Sequence, residues 1–233
     1  MTGPRLGRLV HLFSLIAAAV VLLIAEPSRL QAQTYPREGS LELGGGGFWI
    51  GGSDAGAATA QETQNQTGTT GSITLFESSA RLGSAFGVGG RIGFNLTQSI
   101  AFEGEFIYSR PPVLVSITND FENAPDISLE GSSLHQYFID GGVVFHLTTL
   151  RFNDGGLPFL SASFGYLRQL TDDRQSIESG QVYQLGGGFK QLVSPHFGVR
   201  VDVRAGIRKG GFAFDEGGRR AFFVLGGSGF VVF

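Results

Sequence analysis

The chain has 233 residues, with 17 Lys and Arg against 20 Asp and Glu for a formal net charge of −3, and it has no Cys. The absence of Cys excludes a disulfide framework, thiol chemistry, a Cys-ligated metal and a lipid-anchored N-terminus, and no basic cluster beyond the first residues points to a nucleic-acid partner. Gly (37) and Phe (21) are both abundant, yet no apolar stretch after residue 32 approaches the ~20 residues of a spanning helix, so the hydrophobicity has to sit in an alternating pattern.

At the start of the chain, Arg5 and Arg8 precede an apolar run from Leu12 to Ala25, followed by Pro27 and Leu30-Gln31-Ala32. A positive start, an apolar run too short to span and a small residue at a cleavage point read as a secretory signal peptide over residues 1–32. Residues 33–233 then form a single domain.

The first strand segment runs from Leu41 to Trp49. In the second, Phe86, Val88, Ile92 and Phe94 share one face, while Gly87, Gly89, Arg91 and Asn95 share the other. Ile100, Phe102, Phe106 and Tyr108 alternate with Ala101, Glu103, Glu105 and Ile107. Tyr137, Ile139, Val143 and Phe145 oppose Gln136, Asp140 and His146; Leu160, Ala162, Phe164 and Tyr166 oppose Ser161, Ser163 and Gly165. Tyr183, Leu185 and Phe189 oppose Gln184 and Lys190. Val199, Val201, Val203, Ala205 and Ile207 oppose Arg200, Asp202, Arg204 and Arg208, and a last segment runs from Arg220 to Phe233. Each of these eight segments has roughly the ~9–11 residues needed to cross a bilayer as a tilted strand.

A soluble sandwich would also alternate, so the connections decide. The gaps at 51–83, 96–99, 109–133, 148–156, 169–180, 193–196 and 209–219 run long, short, long, short to the end. This predicts an all-β fold, an eight-stranded antiparallel transmembrane β-barrel with short periplasmic turns and long extracellular loops. Trp49, Tyr108, Tyr137, Tyr166 and Tyr183 fall at the long-loop ends, where an interfacial girdle belongs, and Phe94, Phe145, Phe197 and Phe233 near the short-turn ends form a second one. The Gly-, Ala-, Thr- and Gln-rich gap from Gly52 to Gly83 has little to fold around except Ile73-Thr74-Leu75-Phe76. It reads either as an extension of the flanking strands or as a mobile loop. A tight turn at Thr97 pairs residues whose numbers sum to about 194, setting Arg91 opposite Glu103 with Glu105 on the diagonal.

The inward face collects Glu42, Arg91, Glu103, Glu105, Asp140, His146, Lys190, Arg200, Asp202 and Arg204. An eight-stranded barrel is just wide enough for side chains to fill it, so balanced charges there read as an interlocked polar network that plugs the lumen. His146 with a carboxylate could form a proton relay, but it falls at the periplasmic end of its strand, away from the others. Asp120, Glu122, Asp126 and Glu130 read as solvated loop acids rather than a metal site. Gly87-x-Gly89 has Ile92 where a dinucleotide fingerprint needs Gly. No cofactor, metal or catalytic residue is expected.

Gly44 to Gly47, the Asn95-Leu96-Thr97 turn, Leu157-Pro158-Phe159-Leu160 and the stretch from Leu192 to Arg204 resemble the small outer-membrane β-barrel proteins of Gram-negative bacteria, the OmpA-like and OmpW-like group. The resemblance covers residues 39–233. It implies outer-membrane lipid and lipopolysaccharide as surroundings, and the barrel-assembly machinery as a partner engaged through the last strand. In that strand Leu225, Val231 and Phe233 share the face of an assembly signal, with Val231 where a second aromatic is common in the group. The peptidoglycan-binding module of longer relatives is not expected after Phe233. Some small barrels of this kind edit lipid A, but the His-x-Ser order of the deacylases is missing. Ser133 and His135, with Asp126 or Glu130, read as polar residues flanking a strand. The resemblance thus implies a non-enzymatic protein with a structural, adhesion or envelope-stabilising role. A narrow channel for small or hydrophobic solutes and a lipid A-modifying enzyme are the alternatives. The loops do not reveal an extracellular partner.

Overall fold

The computed structural model describes residues 35–62, 73–122, 124–152, 156–171, 176–213 and 218–233. The proposed signal peptide at 1–32 lies outside them. The described chain is all-β apart from one 3-10 turn at Thr148–Leu150.

Strands β1 (Leu41–Ile50), β4 (Ala85–Asn95), β5 (Ile100–Ser109), β7 (Ile127–His146), β8 (Gly156–Thr171), β9 (Ile177–Leu192), β10 (Phe197–Gly210) and β11 (Arg219–Val232) follow the eight alternating segments. Each pairs antiparallel with its neighbour in that order. The last returns to the first through Glu42↔Val232 to Ile50↔Val224. Both ends of the circuit are thereby hydrogen-bonded, and no edge is left along it.

The sheet holds eleven strands rather than eight, and the difference lies in the first two long gaps, the first of which takes the strand-extension reading rather than that of a mobile loop. β2 (Ser53–Glu62) and β3 (Ile73–Leu82) form a hairpin in the first gap, and β6 (Pro112–Thr118) pairs with β3 and with the first residues of β7. Each continues a circuit strand after a short break: Gly51-Gly52 before β2, Gly83-Ser84 after β3 and Arg110-Pro111 before β6. Pro111 cannot donate to a ladder, so pairing with β7 is interrupted there; it resumes in the same register at Pro112↔Ser133 and shifts by one residue before Leu114↔Glu130. The β2 sequence is small and polar with few bulky apolar residues, which leaves no periodic signal for a strand that pairs with β3 alone among the described strands.

Burial runs opposite to that of a soluble protein. Phe86, Val88, Ile92, Phe102, Ile139, Leu160, Phe164, Leu185, Val201 and Val203 are each more than half exposed, while Arg91, Glu105, Lys190, Arg200, Asp202 and Arg204 are buried. Such a surface is stable only against lipid. The small apolar core caps the two ends of the lumen. Phe48, Ile50, Phe138, Leu167, Val182, Phe222 and Val224 pack beneath the extension, and Tyr35, Leu157, Phe230 and Val232 at the short-turn end.

The turn between β4 and β5 corrects the register read from the sequence. Thr97 N donates to Ile100 O at 3.0 Å, and the Thr97 hydroxyl accepts from the amides of Ser99 and Ile100. The turn therefore spans Leu96 to Ser99 and pairs Asn95 with Ala101, so Arg91 stands opposite Glu105 and Glu103 opposite Gly93. The shift is two residues, which leaves every side chain on its original face.

Candidate functional site

Eight of the nine charged residues expected in the lumen form one ion-pair network. Lys190 Nζ lies 2.8 Å from Glu42 Oε2 and 3.3 Å from Glu103 Oε1, and Arg200 pairs with Glu103. Asp202 is the hub. Its carboxylate receives Arg91 Nη2 at 2.9 Å and Arg200 Nε at 3.1 Å, and Arg204 Nε approaches to 3.0 Å off the hydrogen-bond axis. Glu105 then joins Arg91 to Arg204, the latter at 2.5 Å. Four carboxylates thus hold four cations, which is what removing so many charges from water requires. Asp140 stands aside, accepting from Gln184 at 3.1 Å, and belongs to none of these ion pairs.

Glycine makes room for the network. Asp202 is flanked in register by Gly188 on β9 and Gly226 on β11. A Cβ on Gly226 would come within 3.0 Å of the Asp202 carboxylate, and one on Gly188 would strike the Asp202 backbone. The aromatic rings inside the lumen lie under the cations: Arg200 sits 4.3 Å above Phe159, and Arg91 5.0 Å above Phe48. Such contacts strengthen where water is excluded.

Several participants are not evident from charge alternation. Tyr35, upstream of the first strand, is buried against Phe230 with ring centroids 6.0 Å apart and donates its hydroxyl to Glu42 at 2.9 Å. Burial, then the charge of Glu42, holds its phenol well above the ordinary value, so it remains a donor. Asn95 Nδ2 adds a second donor to Glu42 at 2.7 Å, and Arg151 donates to the Tyr35 carbonyl. The segment before β1 therefore closes the short-turn end of the lumen. Gln136 and Gln169 bond to each other at 2.5 Å near the opposite end.

The other candidates do not assemble. His146 is buried with both ring nitrogens lacking a hydrogen-bond partner among the described residues, and its ring centroid lies 6.5 Å from that of Tyr35. His135 is bonded through Nδ1 to the Tyr108 hydroxyl at 2.7 Å and stacks on that ring. Asp120 caps a turn by accepting from the Glu122 amide at 2.8 Å. Among the described residues, no three His, Asp or Glu side chains gather as metal ligands.

On the outer face the rings at the long-loop ends touch across strands: Trp49 with Phe223 at 4.9 Å, Tyr108 with Tyr137 at 5.1 Å, and Tyr183 with Phe164 at 5.0 Å. Leu225, Val231 and Phe233 all point outward, and Phe233 closes onto β1 through reciprocal backbone bonds with Leu41. Phe230, on the other face, belongs to the apolar base around Tyr35.

No family model matches the chain, and no curated protein matches it. Solved structures do. The outer membrane protein OprG from Pseudomonas aeruginosa is similar at 11% identity and a TM-score of 0.53, over 84% of this chain and 97% of that one. Neisserial surface protein A is similar at 12% identity and a TM-score of 0.50, over 83% and 99%. The chain has the fold of the small outer-membrane β-barrel proteins.

Proposed function

We propose that the chain is a non-enzymatic integral outer-membrane protein. Its eight ring-paired strands cross the bilayer, the short turns face the periplasm, and β2, β3 and β6 rise outside the cell. Its role is structural, adhesive or envelope-stabilising. The observation that carries this reading is a lumen filled by mutually paired charges beneath an apolar exterior, because a barrel that conducts solutes needs an unobstructed polar path. The extension gives the external face a folded surface rather than bare loops, which suits recognition.

Planar-bilayer recording combined with a lipid A mass spectrum of a deletion strain tests the role. The expected result is no discrete conductance from the folded protein and an unaltered lipid A profile. Conductance steps that Lys190→Gln enlarges would establish a channel, and a lost lipid A modification would establish an enzyme.

Two further outcomes follow from the barrel. The purified chain in detergent should give a β-rich circular-dichroism spectrum and migrate differently on a denaturing gel when unboiled; a mainly helical spectrum overturns it. Phe233→Ser should lower outer-membrane yield and leave periplasmic precursor, since it removes the outward aromatic that closes the last strand. Phe230→Ser should spare targeting yet lower the unfolding midpoint in urea, because it empties the base around Tyr35, where truncating a Phe costs about 3–5 kcal/mol. Equal membrane yields for Phe233→Ser and the parent would refute an assembly role for that residue.

A further inference from the structure

One inward carboxylate lacks a counter-charge. The lumen network balances Glu42, Glu103, Glu105 and Asp202 against Arg91, Lys190, Arg200 and Arg204, and Asp140 is a fifth acid on the same inner face. In register it stands directly opposite Glu105, whose two oxygens are taken by Arg91 and Arg204. Like charges placed so repel, and a carboxylate drawn from water without a partner is costly. The other inward arginines do not reach it. Arg208 and Arg220 extend outward to Asp54 of β2, past the apolar cluster that holds Phe138, Leu167 and Val182. Among the described residues Asp140 forms no ion pair; Gln184 Nε2, a neutral donor, bonds to it at 3.1 Å.

The wall beside Asp140 is lined with oxygen. On β8 and β9, three buried atoms of the inner face have no hydrogen-bond partner: Ser161 Oγ, Ser163 Oγ and Gln184 Oε1. Gln184 is 3% exposed. Its Nε2 is tethered to Asp140, so Oε1, on the same planar amide, is held beside the carboxylate. Ser163 lies directly opposite Gln184 on one side and Gly142 on the other, and Gly142 is the next inward residue after Asp140. Ser161 follows Ser163 on the same face. Glycine clears the space between these groups. A Cβ on Gly165, opposite Asp140, would come 2.3 Å from that of Asp140, and one on Gly142 would come 2.7 Å from that of Ser163. Asp140, Ser161 and Ser163 keep part of their surface accessible although they face inward, whereas Arg91, Asp202 and Arg204 are buried. Room therefore remains on this side of the lumen.

Charge and ligand type call for the same occupant. Five acids against four cations leave a single negative charge, which a monovalent cation neutralises and a divalent one would overshoot. The free atoms are all oxygens, one group ionised and three neutral, the set that replaces water around a hard cation rather than one that suits a thiolate- or imidazole-seeking metal.

We infer that Asp140, Ser161, Ser163 and Gln184 form a binding site for one alkali cation, sodium or potassium, which completes the neutralisation of the lumen. The site requires only the closed circuit of strands and is independent of the role proposed above.

The test uses the full mature chain folded in detergent, with folding checked by gel mobility. It is unfolded in urea at one ionic strength in sodium chloride, potassium chloride or the chloride of N-methylglucamine, a cation too bulky for a lumen already filled by side chains. The parent should fold more favourably in sodium or potassium. Its folding constant should rise by up to tenfold for each tenfold increase in alkali cation, the limit for one bound ion. D140N removes the charge and keeps the shape, so it should show no preference among the salts. S161A/S163A keeps the charge and loses two ligands, so it should need on the order of tenfold more alkali cation for the same gain. Equal folding constants for the parent in all three salts would overturn the site and leave a proton as the counter-charge of Asp140. A salt preference that D140N retains would place the cation elsewhere, and S161A/S163A matching the parent throughout would remove the hydroxyls as ligands.

Discussion

Asp202→Asn is expected to lower the stability of the folded barrel in urea by about 3 kcal/mol, at the lower end of what breaking a buried ion pair costs, because water in the lumen softens the penalty. The substitution keeps shape and volume, so the change is one of charge. Asp202 has a fully buried side chain and faces Arg91, Arg200 and Arg204 at 2.9–3.1 Å. Without it, Glu42, Glu103 and Glu105 are left to balance four cations. Glycines flank the hub on both neighbouring strands, so no side chain on β9 or β11 can move in to replace the carboxylate. Asp54→Asn is the control. That side chain is 73% exposed and holds Arg220 from the extension, so its loss should cost less than about 1 kcal/mol. A loss for Asp202→Asn no greater than for Asp54→Asn would mean that lumen water, not Asp202, neutralises the three arginines.

The alternation that made the circuit legible in the sequence worked because lipid and lumen impose opposite demands on successive residues. Val199 to Arg208 could satisfy both only as a strand with valines outward and charges inward. The same logic placed Glu42, Arg91, Glu103, Glu105, Lys190, Arg200, Asp202 and Arg204 on one inner face. It could not say which of them touch, since contacts across a barrel depend on register and on how far each strand is staggered. Thus Asp202 reads as one acid among five, although the structure makes it the centre. Tyr35 is not legible because it precedes the first alternating segment, and a single aromatic outside a strand has no periodic signal. Strands β2 and β3 are legible only as one of two readings of the first gap, the extension of its flanking strands, and β6 not at all. Outside the membrane neither face need be apolar, so a sequence such as Ser53-Asp54-Ala55-Gly56-Ala57-Ala58 can form a strand through backbone pairing alone. Gly186, Gly188 and Gly226 carry no signal of their own in the alternation, although they supply room beside Arg204 and Asp202.

The Arg91 register gives the second large effect. Arg91→Ala and Glu105→Ala should each destabilise the barrel by about 2–3 kcal/mol, and the double variant should recover about 2 kcal/mol of the sum, as expected for groups in direct contact. The pair Arg91 and Glu103 should couple more weakly, by about 0.5–1 kcal/mol, because Glu103 bonds directly to Lys190 and Arg200 and is joined to Arg91 only through Arg200 and Asp202. The contrast is diagnostic because both pairings keep Arg91 inside the lumen. A one-residue slip would drive Arg91 into lipid at roughly 2–4 kcal/mol and is suppressed on that ground alone. A two-residue slip meets no such barrier from hydrophobicity, so the four-residue turn from Leu96 to Ser99, closed by the Thr97 hydroxyl, has to set it. Thr97→Val should therefore weaken the Arg91–Glu105 coupling without moving any side chain to the other face. Strong coupling between Arg91 and Glu103, with none to Glu105, would return the hairpin to the tight turn read from the sequence.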